Sequence, residues 1–263
     1  MAVSFIRSGI GFPDPRQADD SIGGLLAVGG DLSPKRLLAA YRAGIFPWFD
    51  DDQAPVLWWS PDPRAVLAPG EMRISRSLAK RLRNGGFKVS FDRAFVEVVG
   101  ACATKREGQS GTWITPGMGA AYRHLHELGY AHSLEVWCEG RLAGGLYGLS
   151  LGAFFFGESM FSRVPDASKV ALAHLSEQLK RWRFQLIDCQ IPNRHLSSLG
   201  VQSMPRAEFL AALAANDESN TRVGAWTFDA DCGAAVSVDS TPFRGQNAAA
   251  SHALGPHGER RAD

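Results

Sequence analysis

Near the end of the apolar stretch Phe184-Gln-Leu-Ile-Asp-Cys-Gln190, an aspartate and a glutamine stand two residues apart. If the stretch is a buried strand, Asp188 and Gln190 project together while Ile187 and Cys189 face the other way. A carboxylate beside an amide at a strand end can orient polar reactants and handle a proton. The pair also reads as plain structure, with Asp188 capping the Pro192-Asn193 turn and Gln190 an ordinary polar strand end. A second carboxylate, Glu158, lies inside Phe155-Phe-Gly-Glu-Ser-Met-Phe161. In so apolar a run it needs a partner, because an unpaired buried charge is costly. A substrate's ammonium group meets that need, and so does an internal salt bridge to Arg163 or Lys169. Alternation puts Met160 on Glu158's face, where its soft, unbranched side chain offers an adaptable wall.

Two further segments suit binding. Residues 45–64 hold Phe46, Trp48, Phe49, Trp58 and Trp59 among Pro47, Pro55, Pro61 and Pro63. Proline stiffens the backbone and keeps it extended, and rigid aromatics on such a frame suit a flat ligand. The same residues also serve to pin a loop on a core, and Trp58 and Trp59 are assigned to that packing. Residues 71–88 carry Arg73, Arg76, Lys80, Arg81, Arg83 and Lys88 against Glu71 alone. The spacings 73/76/80 and 76/80/83 align on one helix face, suited to a phosphate backbone or simply to solvent.

Composition bounds the rest. The chain has 263 residues, 45% hydrophobic and 21% charged, with a net charge of +1. That is an ordinary globular protein with material for one large or two modest domains, not one that coats nucleic acid. No run of 18 apolar residues and no long apolar leader occurs, so a cytoplasmic protein that does not enter membranes is expected. Cys102, Cys138, Cys189 and Cys232 are scattered without a C-x-x-C pair, and read as free thiols. His124 and His126 point to different faces of a helix, and His195 reads as a surface loop residue. No metal site is expected. The Gly29-Gly30 pair before a helix leads into no phosphate-loop pattern, so no nucleotide cofactor is expected either.

The elements that must position these residues fall in three zones. Residues 1–62 are rich in Gly, Pro and Trp, with one short helix, Lys35 to Arg42, capped by Ser33 and stopped by Gly44. From 63 to 229 the pattern is α/β. A helix over 71–83 starts after Ser75 or Ser77, Phe87–Phe91 is a strand, and Arg93–Thr104 and Pro116–Leu128 are helices. Strands follow at Ser133–Glu139, Leu142–Ser150 and Ala153–Phe161. Leu172, Leu175, Leu179 and Trp182 give the next helix one apolar face, with Asp166 or Ser168 as its cap. Residues 230–263 lack an apolar period and read as a disordered extension.

One family accounts for several blocks at once. Gly24-Leu-Leu-Ala-Val-Gly-Gly-Asp-Leu-Ser-Pro34, Gly44-Ile-Phe-Pro-Trp-Phe49 and Trp58-Trp-Ser-Pro-Asp-Pro-Arg64 resemble the bacterial leucyl/phenylalanyl-tRNA–protein transferases. So do Gly111-Thr-Trp-Ile-Thr115, His132-Ser-Leu-Glu-Val-Trp137, Gly157-Glu-Ser-Met-Phe-Ser162, Ala167-Ser-Lys169 and Ile187-Asp-Cys-Gln190, in the family's order over roughly residues 10–229. The resemblance implies a small N-terminal domain, 1–62, joined to a GNAT-like catalytic domain, 63–229, with a central mixed sheet. It implies transfer of Leu, Phe or Met from aminoacyl-tRNA to the N-terminal amine of proteins beginning with Lys or Arg, which marks them for degradation. The enzyme is then a monomer without cofactor. By the same resemblance Asp188 and Gln190 assist proton removal and place the acceptor, and Glu158 holds the donor's amine. Leu146, Phe155, Met160 and Ile187 line the donor pocket, and Trp48, Trp113 and Tyr122 lie near the terminal adenosine. The basic block meets the acceptor stem. Two other readings compete: an acyl-CoA-dependent GNAT N-acyltransferase, and a non-catalytic module that binds basic protein N-termini. Pro165 and the lack of glycine in Ser162–Lys169 argue against the acyl-CoA enzyme, which needs a pyrophosphate loop there.

Overall fold

A computed structural model describes residues 3–7, 9–104 and 114–229. Expectations at Trp113, at Cys232 and over 230–263 lie outside the described residues.

The first part of the chain builds a four-stranded sheet. Its strands β1 (Ser4–Ile6), β2 (Leu25–Gly29), β3 (Phe46–Pro47) and β4 (Leu57–Trp59) lie in the order β1-β2-β4-β3. Between β2 and β3 runs α1 (Pro34–Arg42), begun by a proline at its first turn. Ser33 holds the cap position but its hydroxyl makes no capping bond; Asp31 instead accepts from the Ser33 N–H at 2.9 Å. Gly44 ends the helix at φ +73°, and a Cβ there would meet Leu210 at 2.7 Å, so only glycine fits. Trp58 is fully buried and donates to the Gly29 carbonyl, and Trp59 donates to the Trp48 carbonyl at 2.7 Å.

The second sheet has seven strands. In chain order the elements are β5 (Arg64–Leu67), α2 (Arg76–Asn84), β6 (Phe87–Phe91), α3 (Phe95–Ala103), α4 (Pro116–Glu127), β7 (Ala131–Cys138), β8 (Arg141–Leu151), β9 (Phe154–Ser162), α5 (Ala167–Arg181), β10 (Leu186–Gln190), α6 (Arg194–Ser198), β11 (Gln202–Met204) and α7 (Arg206–Ala214). The strand order is β11-β5-β10-β9-β8-β7-β6, antiparallel throughout except for the parallel pair β9 and β10. This mixed sheet, with the run β7-β8-β9-α5-β10, is the GNAT-like arrangement. Helices cover both faces. Phe95, Val98, Met118 and Leu125 of α3 and α4 join one core with Phe154 and Phe156; Leu78 and the α5 residues join the other with Phe155 and Ile187. Asp166 precedes α5 at φ +67° and makes no capping bond; the Ser168 N–H is bound by Ser162 Oγ instead. No helix among the described residues is long and apolar enough to cross a membrane.

Candidate functional site

β9 and β10 run together only as far as the partners Phe156 and Asp188. Beyond that point β9 continues along β8 to Ser162, while β10 stops at Gln190. A cavity of about 540 Å³ opens where they part. Its apolar arm is walled by Leu146, Phe155, Met160, Leu172, Leu175 and Ile187, and Phe46, Pro47 and Trp48 of the first sheet flank its other side.

Both strands break their alternation at this opening. The β8–β9 register shifts at Glu158, so Met160 pairs opposite Leu146 and packs with the α5-side core. Glu158 turns to the opposite face, where Tyr41 and Tyr122 meet it. The expected shared face of Glu158 and Met160 is therefore corrected: a bulge inserts one residue and reverses the parity. On β10 a register shift lies between Asp188 and Gln190, and Gln190 takes φ +55°. The two side chains find different partners there. Asp188 is fully enclosed, and Arg64 grips it with Nε at 2.8 Å from Oδ1 and Nη2 at 2.7 Å from Oδ2. Asp188 Oδ1 also accepts the Gln190 N–H at 2.9 Å, which holds the left-handed turn. Gln190 then reaches across the gap, its Nε2 3.4 Å from Glu158 Oε1. Asp188 is thus tied to the site through the Gln190 backbone, not by facing the cavity, and it does not cap the Pro192-Asn193 turn.

Glu158 has a different partner set from the salt bridge considered for it. Arg163 donates to the Leu142 carbonyl and Lys169 pairs with Asp166. The Glu158 carboxyl takes the Tyr41 hydroxyl at 2.5 Å and the Tyr122 hydroxyl at 2.7 Å, and the two hydroxyls touch each other. Burial pushes its pKa up to about 7, against the pull of those two donors. Tyr147 lines the same cavity with its hydroxyl buried and unbonded among the described residues. Cys189 also lines it, its thiol pushed up to about 12 by burial and the nearby Asp188 charge, so it is no thiolate nucleophile.

The aromatic expectations divide. Trp48 is 40% exposed at the cavity and meets Trp59 in a T-shaped pair. Tyr122 is fully buried on α4 and edge-on to Tyr147, so it has no face for a base to stack on. In the basic block, α2 begins only after Ser75, whose hydroxyl caps it; Arg73 precedes the helix and does not share its face. Arg76, Lys80 and Arg83 on α2 are exposed, as is Lys88 on edge strand β6. Arg81, counted in the basic block, is half-buried and turned onto the Phe87 ring and the Pro165 carbonyl. His195 is exposed, as expected, but stands on α6 rather than in a loop, and it lines the cavity. Among the described residues no three His, Cys, Asp or Glu side chains converge as metal ligands.

Sequence comparison fits this geometry. A profile described as leucyl/phenylalanyl-tRNA protein transferase matches residues 66–214, and one for that protein's N-terminal domain matches residues 30–62. The chain belongs to the leucyl/phenylalanyl-tRNA–protein transferase family. A member from Thiobacillus denitrificans is 58% identical over 218 residues, 83% of this chain and 95% of that protein. Another, from an Anaeromyxobacter species, is 54% identical over 231 residues, 88% of this chain and 97% of its own length. The solved structure of L-PGS from Bacillus licheniformis aligns with a TM-score of 0.37 and 11% identity over 64% of this chain and 54% of that one. The strand order itself carries the fold assignment.

Arg64, Tyr41 and Tyr147 are among the site residues that sequence reasoning missed. Arg64 had a signal. An arginine that opens the apolar strand Arg-Ala-Val-Leu must be buried, and a buried arginine requires a carboxylate.

Proposed function

We propose that the cavity takes the aminoacyl end of a charged tRNA and that the protein moves Leu, Phe or Met to the N-terminal amine of a protein beginning with Lys or Arg. One observation carries this: the one carboxylate among the residues lining the cavity, half-buried Glu158, stands where a polar mouth meets an apolar arm. That is the outline of an amino acid with an apolar side chain, its α-ammonium on Glu158 and its side chain among Leu146, Phe155, Met160 and Ile187. Trp48 then receives the terminal adenine on its exposed face. Such a donor exists in the cytoplasm, where we place the protein, acting as a monomer. The product is a protein with a new apolar N-terminus, marked for degradation.

The ester is already activated, so the protein's work is positioning, proton handling and charge stabilisation. The acceptor nitrogen attacks the ester carbonyl, a C–N bond forms, and the C–O bond to the tRNA 3′ oxygen breaks. The amine loses a proton and the departing oxygen gains one. Gln190 turns its Nε2 toward Glu158, which leaves its carbonyl oxygen to accept from the incoming amine. Asp188 and Arg64 hold Gln190 there. A direct transfer needs no thiolate, in keeping with Cys189 remaining a thiol. The acyl-CoA reading has little support at α5, where the Ala167 and Ser168 amides are already bonded to Val164 and Ser162. Incubation with labelled Phe-tRNA, or with labelled acetyl-CoA, and a peptide starting with Arg separates these readings. Label is expected to pass from the tRNA alone, and transfer from acetyl-CoA, or from neither, would overturn the proposal.

For the acceptor stem we propose Arg76, Lys80 and Arg83, exposed along α2, together with Lys88. Replacing Arg76, Lys80 and Arg83 by alanine together is expected to flatten the log–log salt dependence of tRNA binding by about two units, at roughly 0.7–0.9 for each phosphate no longer neutralised. The rate at saturating tRNA should change less. An unaltered slope in a filter-binding titration would mark α2 as a solvated face.

A further inference from the structure

The hydrogen bonds around Glu158 set a requirement for hydrogens. Oε1, the Tyr41 hydroxyl, the Tyr122 hydroxyl and Oε2 form a row of four oxygens, and each of the three neighbouring pairs lies within hydrogen-bond distance. Each pair needs one hydrogen, and a tyrosine hydroxyl brings one. Two neutral tyrosines therefore fill two pairs. With Glu158 ionised, the third pair would set lone pairs face to face. With Glu158 as a carboxylic acid all three are filled, in either direction around the ring. A tyrosinate does not help, since it removes a hydrogen, and burial and the Glu158 charge hold both tyrosine pKa values well above ordinary. The Gln190 amide brings its own hydrogens and leaves the requirement unchanged.

The surrounding groups agree. Tyr41 comes from α1, Tyr122 from α4 and Tyr147 from β8, all fully buried and neutral. Asp188 raises and Arg64 lowers the Glu158 pKa, and the two are themselves an ion pair. Cys189 is a thiol. Burial is left as the dominant influence, and it favours the acid.

We propose that in the substrate-free protein Glu158 is a carboxylic acid closed into a three-hydrogen ring with Tyr41 and Tyr122, and that a donor's α-amine binds by taking or displacing that hydrogen. Tyr41 and Tyr122 thereby become specificity-determining residues for a donor whose α-amine is free. This rests on the reading that the aminoacyl group occupies the cavity. The balance is simple. A neutral amine takes the proton, so the acid O–H breaks, an N–H forms, and nothing exchanges with solvent. An amine arriving as ammonium sends the ring's proton to solvent. In both cases each tyrosine then donates to its own carboxylate oxygen and the two hydroxyls part. An N-acylated donor has no basic nitrogen, cannot open the ring, and is refused.

The test is calorimetric titration of the intact protein with a non-hydrolysable phenylalanyl-adenosine amide, at about pH 6, in two buffers of different ionisation enthalpy. Release of about one proton per ligand bound is expected, turning to uptake by about pH 8, where Glu158 has itself ionised and a neutral amine that binds as ammonium draws its proton from solvent. The infrared difference spectrum should lose a carboxylic-acid carbonyl band, and no such band should be lost in Glu158→Gln. The glutamine amide can supply the ring's missing hydrogen, so that variant should fold normally. It should also release no proton. Binding by the unaltered protein without proton release at about pH 6 would overturn the ring while leaving the donor cavity standing. Failure of the analogue to bind at all would overturn the donor reading on which the ring depends. Equal affinity for an N-acetylated analogue would overturn the selectivity.

Discussion

Replacing Arg64 by methionine is expected to cost about 3–5 kcal/mol of stability, because it strands Asp188 as an uncompensated buried charge. Few residues in this protein are so thoroughly committed. Arg64 is 1% exposed, binds both Asp188 oxygens, donates to the Gly44 carbonyl at 3.0 Å, and lies between the Phe46 and Phe209 rings. It thus joins the first sheet, β10 and α7 at one point. For a protein of this size the loss corresponds to roughly 10 °C in Tm, at about 2–4 °C per kcal/mol. The double replacement Arg64→Met with Asp188→Leu is expected to recover most of that, since an apolar pair can substitute for a buried ion pair. Transfer activity should not recover. Without Asp188 Oδ1 nothing holds the Gln190 N–H, and the left-handed turn that aims Gln190 at Glu158 relaxes. A double variant that is both stable and fully active would show that the pair serves the fold alone. Measuring Tm and single-turnover transfer on all three variants decides between these.

Periodicity made most elements legible. The face Leu172, Leu175 and Leu179 marks α5, and the alternating run of β7, β8 and β9 lies within a few residues of its sequence-based bounds. Legibility failed where alternation itself fails. Strict period-two reasoning put Met160 with Glu158, and that pair straddles a register shift. A bulge leaves no compositional mark of its own, so the parity it reverses cannot be read from spacing. Tyr41 was hidden for another reason. It sits in a short helix, and only the docking of α1 against α4 and β9 reveals that its hydroxyl has a carboxylate to meet. Leu172 and Leu175 read as core and do pack in the core, yet they also wall the cavity's apolar arm. Sequence places such residues on a face but not beside a void.

Glu158→Gln is expected to move activity and stability in opposite directions. The folded protein holds Glu158 at about 7 against an ordinary 4.5, because burial disfavours its charged form. The folded state therefore binds this proton more tightly than the unfolded chain does. Its contribution to stability is intact below the ordinary value, declines as pH rises toward about 7, and stays lost above it. The whole difference is on the order of 3 kcal/mol. Glutamine removes the titration. Variant and parent should melt together near pH 4, and above about pH 7 the variant should be the more stable, by several degrees. Transfer should suffer, since the donor's ammonium would then face a neutral amide. Removing one partner of a buried, hydrogen-bonded charge pair costs about 2–5 kcal/mol, or roughly thirty- to several-thousand-fold in kcat/KM for the donor. The apparent KM for an Arg-starting peptide should hardly move, because that substrate does not touch Glu158 in this arrangement. A carboxylate retained where it weakens the fold is a functional group, and this pH-dependent crossing is its signature. If the variant proves less stable than the parent at high pH while using Phe-tRNA normally, Glu158 is a structural acid and the donor's amine is bound elsewhere.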